Sequence, residues 1–279
     1  MIIDMHTHCF PDRICGRVIA GLAEKSGIRP HLDGSAAALR RSTAESGIDR
    51  AVVAPIATAP RQQESIFRFA CELHGQGNLL SLGSVHPDSP DWEEMLSRIR
   101  QAGLPGIKLH PDYQGFFIGE ERALRVIDRA HALGLFTLIH AGTDAAYPSD
   151  VHCPPEEIIR LLPRLEGKNV ILAHLAGYGP GEAEKVLAGI CGRDVYLDTA
   201  ITAALYPDAA GAILRAHRAD RLLFGSDSPW GGQREAVAAV RAVGLDPVTE
   251  ELVLGGNAAR LLGLRDFGKS SCIPADGAI

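Results

Sequence analysis

Eight short apolar segments are spaced along the chain, and longer amphipathic stretches separate them. The segments are rich in Val, Ile and Leu and are apolar on both faces, which is typical of parallel strands that helices cover. They span residues 2–6, 51–54, 79–85, 106–110, 136–140, 170–174, 195–198 and 222–226. The pattern therefore predicts eight buried strands.

The stretches between the strands carry the periodicity and the end signals of helices. Ser35 can cap a helix that ends at Gly47, and Leu124 and Ile127 belong to an apolar repeat at helical spacing. Residues 9–33 form a longer connection than the turn between a strand and its helix requires. An additional helix is therefore predicted inside that connection.

A strand followed by a helix, repeated around the chain, predicts a closed (β/α)8 TIM barrel of the α/β class. An open doubly wound sheet is the alternative, but it usually has fewer strands, and no Gly-x-Gly-x-x-Gly follows the first strand here. No linker or internal repeat divides the chain, so residues 1–264 are predicted to form one domain. Residues 265–279 lack periodicity and are predicted to be a C-terminal tail, either an arm or disordered.

Composition and charge argue against a nucleic-acid or membrane partner. The chain has 279 residues, is 46% hydrophobic and has a net charge of -6, so a large core is expected and no basic face stands out. No apolar run is long enough to span a bilayer, and no signal-peptide pattern is visible. The six cysteines form no Cys-x-x-Cys pair, which favours reduced thiols and a cytoplasmic location.

Histidine and aspartate recur where the predicted strands end. His6 and His8 are one strand step apart, so both point to the same side of the first strand. His140 and His174 end the fifth and sixth strands, and Asp227 follows the eighth. Active sites of such barrels lie at the carboxyl ends of the strands, and neutral imidazole is a common metal ligand. The sequence predicts a metal site there, with a buried hydrogen-bonded pair as the alternative for His6 and His8.

Six separated motifs, in order, resemble the amidohydrolase superfamily. They are Asp-x-His-x-His at 4–8, Gly-Ile-Lys-Leu-His-Pro at 106–111, Ile-His-Ala-Gly at 139–142, Leu-Ala-His-Leu-Ala-Gly at 172–177, Phe-Gly-Ser-Asp-Ser-Pro-Trp at 224–230 and Gly-Asn-Ala-Ala-Arg-Leu-Leu-Gly-Leu at 256–264. The resemblance is to the amidohydrolase 2 branch, which includes aminocarboxymuconate-semialdehyde decarboxylase and related aromatic-acid decarboxylases and lactonases. It runs from Met1 to about Leu264.

The resemblance implies a divalent metal that is bound by His6, His8, His140 and Asp227. His174 would act as a base that handles the proton of the attacking water, and Asp227 would also accept a proton. Zinc is the first expectation, because it lowers the pKa of bound water to about 7. Three imidazoles and a carboxylate also accept Mn2+, Fe2+ or Ni2+. For Asp227, capping of the next helix is a compatible second role.

Three further residues near strand ends are candidates for substrate binding. Lys108 and His110 share one face of the fourth strand, so both can point into the barrel. Trp230 follows the eighth strand and can either line a pocket or pack within its own loop. The resemblance implies an alternative role for Lys108, because in some amidohydrolases a carboxylated lysine at this place bridges two metals.

The leading functional hypothesis is a metal-dependent hydrolase that cleaves an amide, lactone or related bond in a small molecule. The alternative is a metal-dependent, non-oxidative decarboxylase of a small aromatic or muconate-type acid, in which Arg61 or Lys108 would hold the carboxylate. A phosphoesterase of the TatD kind typically has a carboxylate at the end of the fourth strand, which this chain lacks. A barrel that keeps its ligands without catalysis is a further alternative. Such barrels are often homodimers, but the sequence leaves the oligomeric state open.

Overall fold

The computed structural model describes residues 1–177 and 179–264. Eight parallel strands lie at its centre, as the hydrophobic pattern predicts. They are β1 (Ile3–Thr7), β2 (Arg50–Val53), β3 (Leu79–Ser81), β4 (Gly106–Leu109), β5 (Phe136–Ile139), β6 (Val170–Leu172), β7 (Tyr196–Asp198) and β8 (Leu222–Leu223). The tail predicted at 265–279 lies outside the described residues.

The strands follow one another around a ring. Pairing gives one sheet in the order β1-β2-β3 and another in the order β4-β5-β6-β7-β8. The backbone N–H of Lys108 donates to the carbonyl of Gly83 over 2.9 Å, which joins β4 to the end of β3. The N–H of Met5 donates to the carbonyl of Phe224 over 2.8 Å, which joins β1 to the end of β8. These contacts connect both edges and confirm the predicted (β/α)8 barrel.

Helices surround the ring of strands. They are α1 (Cys15–Ser26), α2 (Ala36–Glu45), α3 (Gln63–Leu73), α4 (Trp92–Gln101), α5 (Pro111–Gln114), α6 (Glu121–Ala132), α7 (Pro155–Leu165), α8 (Pro180–Gly189), α9 (Thr202–Leu205), α10 (Pro207–Ala216), α11 (Gln233–Ala242), α12 (Pro247–Glu251) and α13 (Asn257–Leu261). The additional helix predicted within residues 9–33 is α1. Ser35 caps α2 as predicted, because its side chain accepts the N–H of Ala38. No helix within 1–177 and 179–264 is both long and apolar enough to cross a membrane.

The strand register places the polar site above an apolar layer inside the barrel. Lys108 pairs with Leu138, and Leu138 pairs with Ile171, so the three side chains share the inner face. Leu138 and Ile171 belong to a buried apolar cluster, whereas Ile107 and Leu109 pack in the larger core that contains the helices. Lys108 is therefore a charged residue on the inner wall, and its position raises the question of what its ammonium group contacts.

Candidate active site

The ends of β1 and β8 bring three metal-ligand side chains together. The Nε2 atoms of His6 and His8 lie 3.5 Å and 3.2 Å from Oδ1 of Asp227. Each residue offers one ligand atom, and these atoms all lie within 4.8 Å of one another. Spacing of this order suits ligands that share one ion about 2 Å from each of them. The predicted convergence of these three residues is present in the structure.

The second ring nitrogen of each histidine has its own acceptor. Nδ1 of His6 lies 3.0 Å from Oδ2 of Asp198, and Nδ1 of His8 lies 2.9 Å from the carbonyl oxygen of Ala54. Protons on both Nδ1 atoms leave the Nε2 lone pairs facing the carboxylate of Asp227. A nitrogen lone pair and a carboxylate that face each other repel unless a cation lies between them. This donor set therefore fits a divalent metal.

The backbone of Asp227 is left-handed and is tied to the end of β1. Its φ is 62°, and its N–H donates to the carbonyl of His6 over 2.9 Å, so its backbone is tied to β1. Burial alone would raise its pKa, but the adjacent imidazoles of His8, His6 and His174 lower the pKa below its usual range. The carboxylate is therefore ionised at neutral pH. The predicted helix-capping role is wrong, because α11 begins only at Gln233 and Gly232 is its N-cap.

His140 lies with a different set of neighbours from the one that the resemblance implies. Its ring stacks on that of His110, with centroids 4.1 Å apart and planes 8° from parallel. Its Nε2 is buried without a hydrogen-bond partner, 3.9 Å from Oδ2 of Asp144 and 4.0 Å from Oδ2 of Asp112. His110, His140 and Asp144 thus form a second group of potential ligands. Ligation by His140 of the same ion as His6 stays a prediction.

Burial keeps three of the site histidines neutral. It is the largest cause of a pKa well below the usual value for His6, His110 and His140. Neutral imidazole is the form that binds metal, so no proton has to be released from these rings at pH 7. The orphaned Nε2 of His140 is one more buried acceptor or donor that a ligand in the cavity can satisfy.

His174 joins the two groups. Its Nε2 lies 3.0 Å from Nδ1 of His140, and its Nδ1 lies 3.1 Å from the carbonyl oxygen of Ala200. The backbone of His174, Leu175 and Ala176 is left-handed, with φ values of 57°, 56° and 63°. Non-glycine residues adopt this region at a cost of about 1 kcal/mol or more each, and such strain is common at functional sites.

Asp198 supports both His6 and His174, and sequence reasoning missed this role. Its Oδ1 accepts the backbone N–H groups of His174 and Ala200, each over 3.0 Å, and its Oδ2 accepts from His6. The side chain is fully buried. Asp198 is the last residue of β7, so the rule that strand ends carry the site could have identified it. It fixes the ring of His6 and the strained turn of His174 with one carboxylate.

Asp198→Asn is expected to weaken metal binding and turnover by roughly 10- to 100-fold, as is usual when a group that orients a metal-binding histidine is changed. The amide can still accept the N–H of His174, but it can present its NH2 group to His6 and favour the wrong tautomer. Metal affinity by titration and kcat would be measured beside Asp208→Asn, which changes an exposed aspartate of α10. Wild-type metal affinity in Asp198→Asn would contradict this role.

Lys108 occupies the centre of the site. Its Nζ is buried and donates to Nε2 of His6 over 3.1 Å. Burial lowers its pKa to about 8, although three nearby aspartates oppose the shift. One lone pair of His6 cannot serve Lys108 and a metal at the same time, so Lys108 has to give up this bond when a metal binds. Its role as a carboxylated bridge stays a prediction.

All the predicted site residues line one cavity of about 530 Å3. The polar end holds His6, His8, Lys108, His110, His140, His174 and Asp227, and Trp230 lies on the wall. The remaining wall is largely apolar.

Arg61, a predicted carboxylate anchor, does not line the cavity, whereas Arg13 does. The Cys9 side chain also reaches the cavity, but burial raises the pKa of its thiol to about 12, which does not suit a nucleophile.

The fold and the site together define a class: a metal-dependent enzyme built on a (β/α)8 barrel, with its ligands at the carboxyl ends of the strands. The particular family follows from the comparison with family profiles. The chain belongs to the amidohydrolase family, whose profile matches residues 3–264. A search of curated proteins finds no match.

Several solved structures share the fold. An uncharacterised TIM-barrel protein of Bordetella bronchiseptica is 19% identical, with a TM-score of 0.69 over 94% of this chain and 98% of that one. A 5-carboxyvanillate decarboxylase of Novosphingobium aromaticivorans with bound manganese is 15% identical, with a TM-score of 0.66 over 95% and 97%. A probable 2-pyrone-4,6-dicarboxylic acid hydrolase of Acinetobacter baumannii is 16% identical, with a TM-score of 0.64 over 94% and 99%. The family and the donor set support a divalent metal as the cofactor.

Proposed function

We propose that the protein is a metal-dependent, non-oxidative decarboxylase of a small aromatic or related cyclic acid. The observation that carries the proposal is the buried Lys108, whose Nζ lies 3.1 Å from a nitrogen of the His6, His8 and Asp227 group, inside the cavity. An organic acid needs a cation for its carboxylate, and this lysine supplies one beside the metal ligands. The decarboxylase among the structural neighbours supports this choice.

In this reaction the bond between the carboxylate carbon and the substrate carbon breaks, and CO2 leaves. The electron pair remains on the substrate carbon, which then takes a proton from the protein. A bound divalent metal would polarise the carboxylate and a neighbouring oxygen of the acid. We assign metal binding to His6, His8 and Asp227. Zn2+ and Mn2+ are both compatible with this donor set.

Lys108 and His174 have the residue-level roles in this proposal. Lys108, released from His6 when the metal binds, donates a charge-assisted hydrogen bond to the carboxylate and holds it in place. His174 delivers the proton to carbon, His140, whose Nδ1 lies 3.0 Å from Nε2 of His174, passes a proton on to His174, and solvent returns that proton to His140 between turnovers. The apolar wall excludes water from the substrate carbon, so that protonation comes from the protein.

Hydrolysis of a lactone or amide is the second candidate function, and the state of Asp227 favours it. Its ionised carboxylate, 3.2 Å from His8 and on the cavity wall, is placed to take a proton from an attacking water. The neighbour described as a probable 2-pyrone-4,6-dicarboxylic acid hydrolase shares the fold. The two functions use the same metal ligands and differ in the substrate bond that is broken.

The products of the metal-loaded enzyme separate the two functions. A panel of hydroxybenzoic acids, cyclic acids and lactones would be incubated with the Mn2+ and Zn2+ forms, and the products would be analysed by mass spectrometry with a coupled CO2 assay. Decarboxylation gives one CO2 for each molecule of product, and the product is lighter than the acid by the mass of CO2. Hydrolysis gives a product that is heavier by one water. Hydrolysis of lactones with no CO2 from any acid would overturn the main proposal.

Lys108→Met is expected to lower kcat/KM for the acid about 10- to 100-fold, because it removes a hydrogen bond to a charged group. The apolar side chain has a similar length and suits a buried position. Lys185→Met is the matched control, since Lys185 is an exposed lysine of α8 paired with Glu156. If Lys108→Met decarboxylates at the wild-type rate, Lys108 does not hold the carboxylate.

A further inference from the structure

One wall of the cavity is formed by α1 and the residue before it. Ile14, Val18 and Leu22 are spaced by four residues, so they lie on one face of the helix, and all three line the cavity. With a rise of about 1.5 Å per residue, Ile14 and Leu22 are roughly 12 Å apart along the helix axis. Ile28, beyond the helix, continues the same lining. The cavity therefore extends well past the group of histidines.

A second part of the cavity wall is apolar as well. Pro55 and Ile56 follow β2, and Ile66 and Phe69 lie on α3, and all four line the cavity. Ile56 and Ile66, like Val18 and Leu22, are only partly buried in the protein. We call the part of the cavity that these two walls line the apolar slot. Its lining is Ile14, Val18, Leu22 and Ile28 from the first wall and Pro55, Ile56, Ile66 and Phe69 from the second.

Partly exposed apolar side chains that line one cavity indicate a ligand with an apolar surface. A single aromatic ring beside Lys108 would leave most of a 12 Å wall in contact with water, at a cost in hydrophobic free energy. The whole cavity, about 530 Å3, is in the range of roughly 300–1,000 Å3 in which proteins enclose drug-sized ligands. Arg13, which also lines the cavity, adds a positive charge that favours an acid.

We infer that the substrate is an amphipathic carboxylic acid whose apolar part is larger than one ring, such as a bicyclic aromatic acid. Its carboxylate lies at Lys108 and the metal ligands, and its apolar part lies in the slot. The carboxylate end rests on the proposed function, whereas the apolar part rests only on the two walls. Val18 and Leu22 then determine the size of the accepted substrate.

Binding of two acids that differ by one ring tests the slot without turnover. The metal-loaded protein would be titrated with 2-naphthoate and with benzoate by calorimetry. Wild-type protein is expected to bind 2-naphthoate at least about tenfold more tightly, since burial of two methylene equivalents already gives a factor of this size. If the wild-type protein binds benzoate as tightly as 2-naphthoate, the slot is not a substrate site.

Two variants and a control locate the preference on α1. Leu22→Trp fills the slot and is expected to abolish the preference for 2-naphthoate while benzoate affinity and metal content stay at wild-type values. Ala20→Trp places the same side chain on the exposed face of α1 and should change neither affinity. Val18→Ala, which enlarges the slot, should retain the preference even if Leu22→Trp does not fold. A folded Leu22→Trp protein that still prefers 2-naphthoate would overturn the inference.

A neutral pair of probes separates this inference from the proposed function. If neither acid binds, the carboxylate end is wrongly assigned, and 2-naphthol and phenol then test the slot alone. A preference for 2-naphthol that Leu22→Trp removes supports the slot even when no CO2 is ever released. Equal binding of the two phenols, or binding of neither, contradicts it.

Discussion

Simultaneous replacement of His6 and His8 by Ala is expected to leave the protein without bound metal and without activity. The pair supplies two of the three ligand atoms that lie within 4.8 Å of one another, and Asp227 alone cannot hold a divalent ion against water. We expect about one metal per chain in the wild type and close to none in the double variant. Metal content by mass spectrometry after dialysis would be the measurement.

The fold of the double variant should survive. His6 and His8 lie at the carboxyl end of β1, whereas Ile3 and Met5 of the same strand pack in the buried apolar cluster. Asp198 loses the hydrogen bond from His6 but keeps two backbone N–H donors, which limits the cost. His131→Ala, at an exposed position of α6, is the control. Full metal retention in the double variant would place the ion elsewhere, and the second group of His110, His140 and Asp144 would then be tested.

The strands were predictable because each buried strand is apolar on both faces. The pattern is less reliable at the strand ends. Residues 79–85 were predicted as one strand, but β3 ends at Ser81 and a single bridge at Gly83 carries the contact to β4. The prediction for the last strand ran to Ser226, three residues beyond β8. Loops that enter the barrel rim are buried and apolar too, so hydropathy does not mark where strand pairing stops.

The candidate site was predictable where one rule applies to single residues: polar side chains at strand ends face a common centre. His6, His8, Lys108, His174 and Asp227 follow that rule, and the structure brings all of them to one cavity. The partners of each side chain were not predictable. That Asp198 accepts from His6, 192 positions away in the chain, depends on the barrel closing through β8, which brings β7 within two strands of β1.

Two features had no sequence signal strong enough to place them. Asp144 lies in a loop after β5, where no periodicity applies, yet it faces His110 and His140. The apolar face of α1 carries no signal that separates it from a core face, because a helix with apolar residues every four positions normally packs on protein. Only the position of α1 in the fold shows that part of this face lines the cavity.

His174→Gln is expected to lower kcat by roughly 10²- to 10⁴-fold, the usual contribution of a positioned acid or base, with metal content unchanged. The turn that carries His174 is held through its backbone N–H by Asp198, so the substitution should leave the turn in place. Glutamine can form hydrogen bonds with His140 but cannot deliver a proton, which separates proton transfer from positioning. A fall in kcat with little change in KM would therefore identify a catalytic role.

His152→Gln, outside the cavity and paired with Asp150, is the control. Turnover at the wild-type rate in His174→Gln would remove this residue from the mechanism and leave Asp227 as the candidate for the proton step.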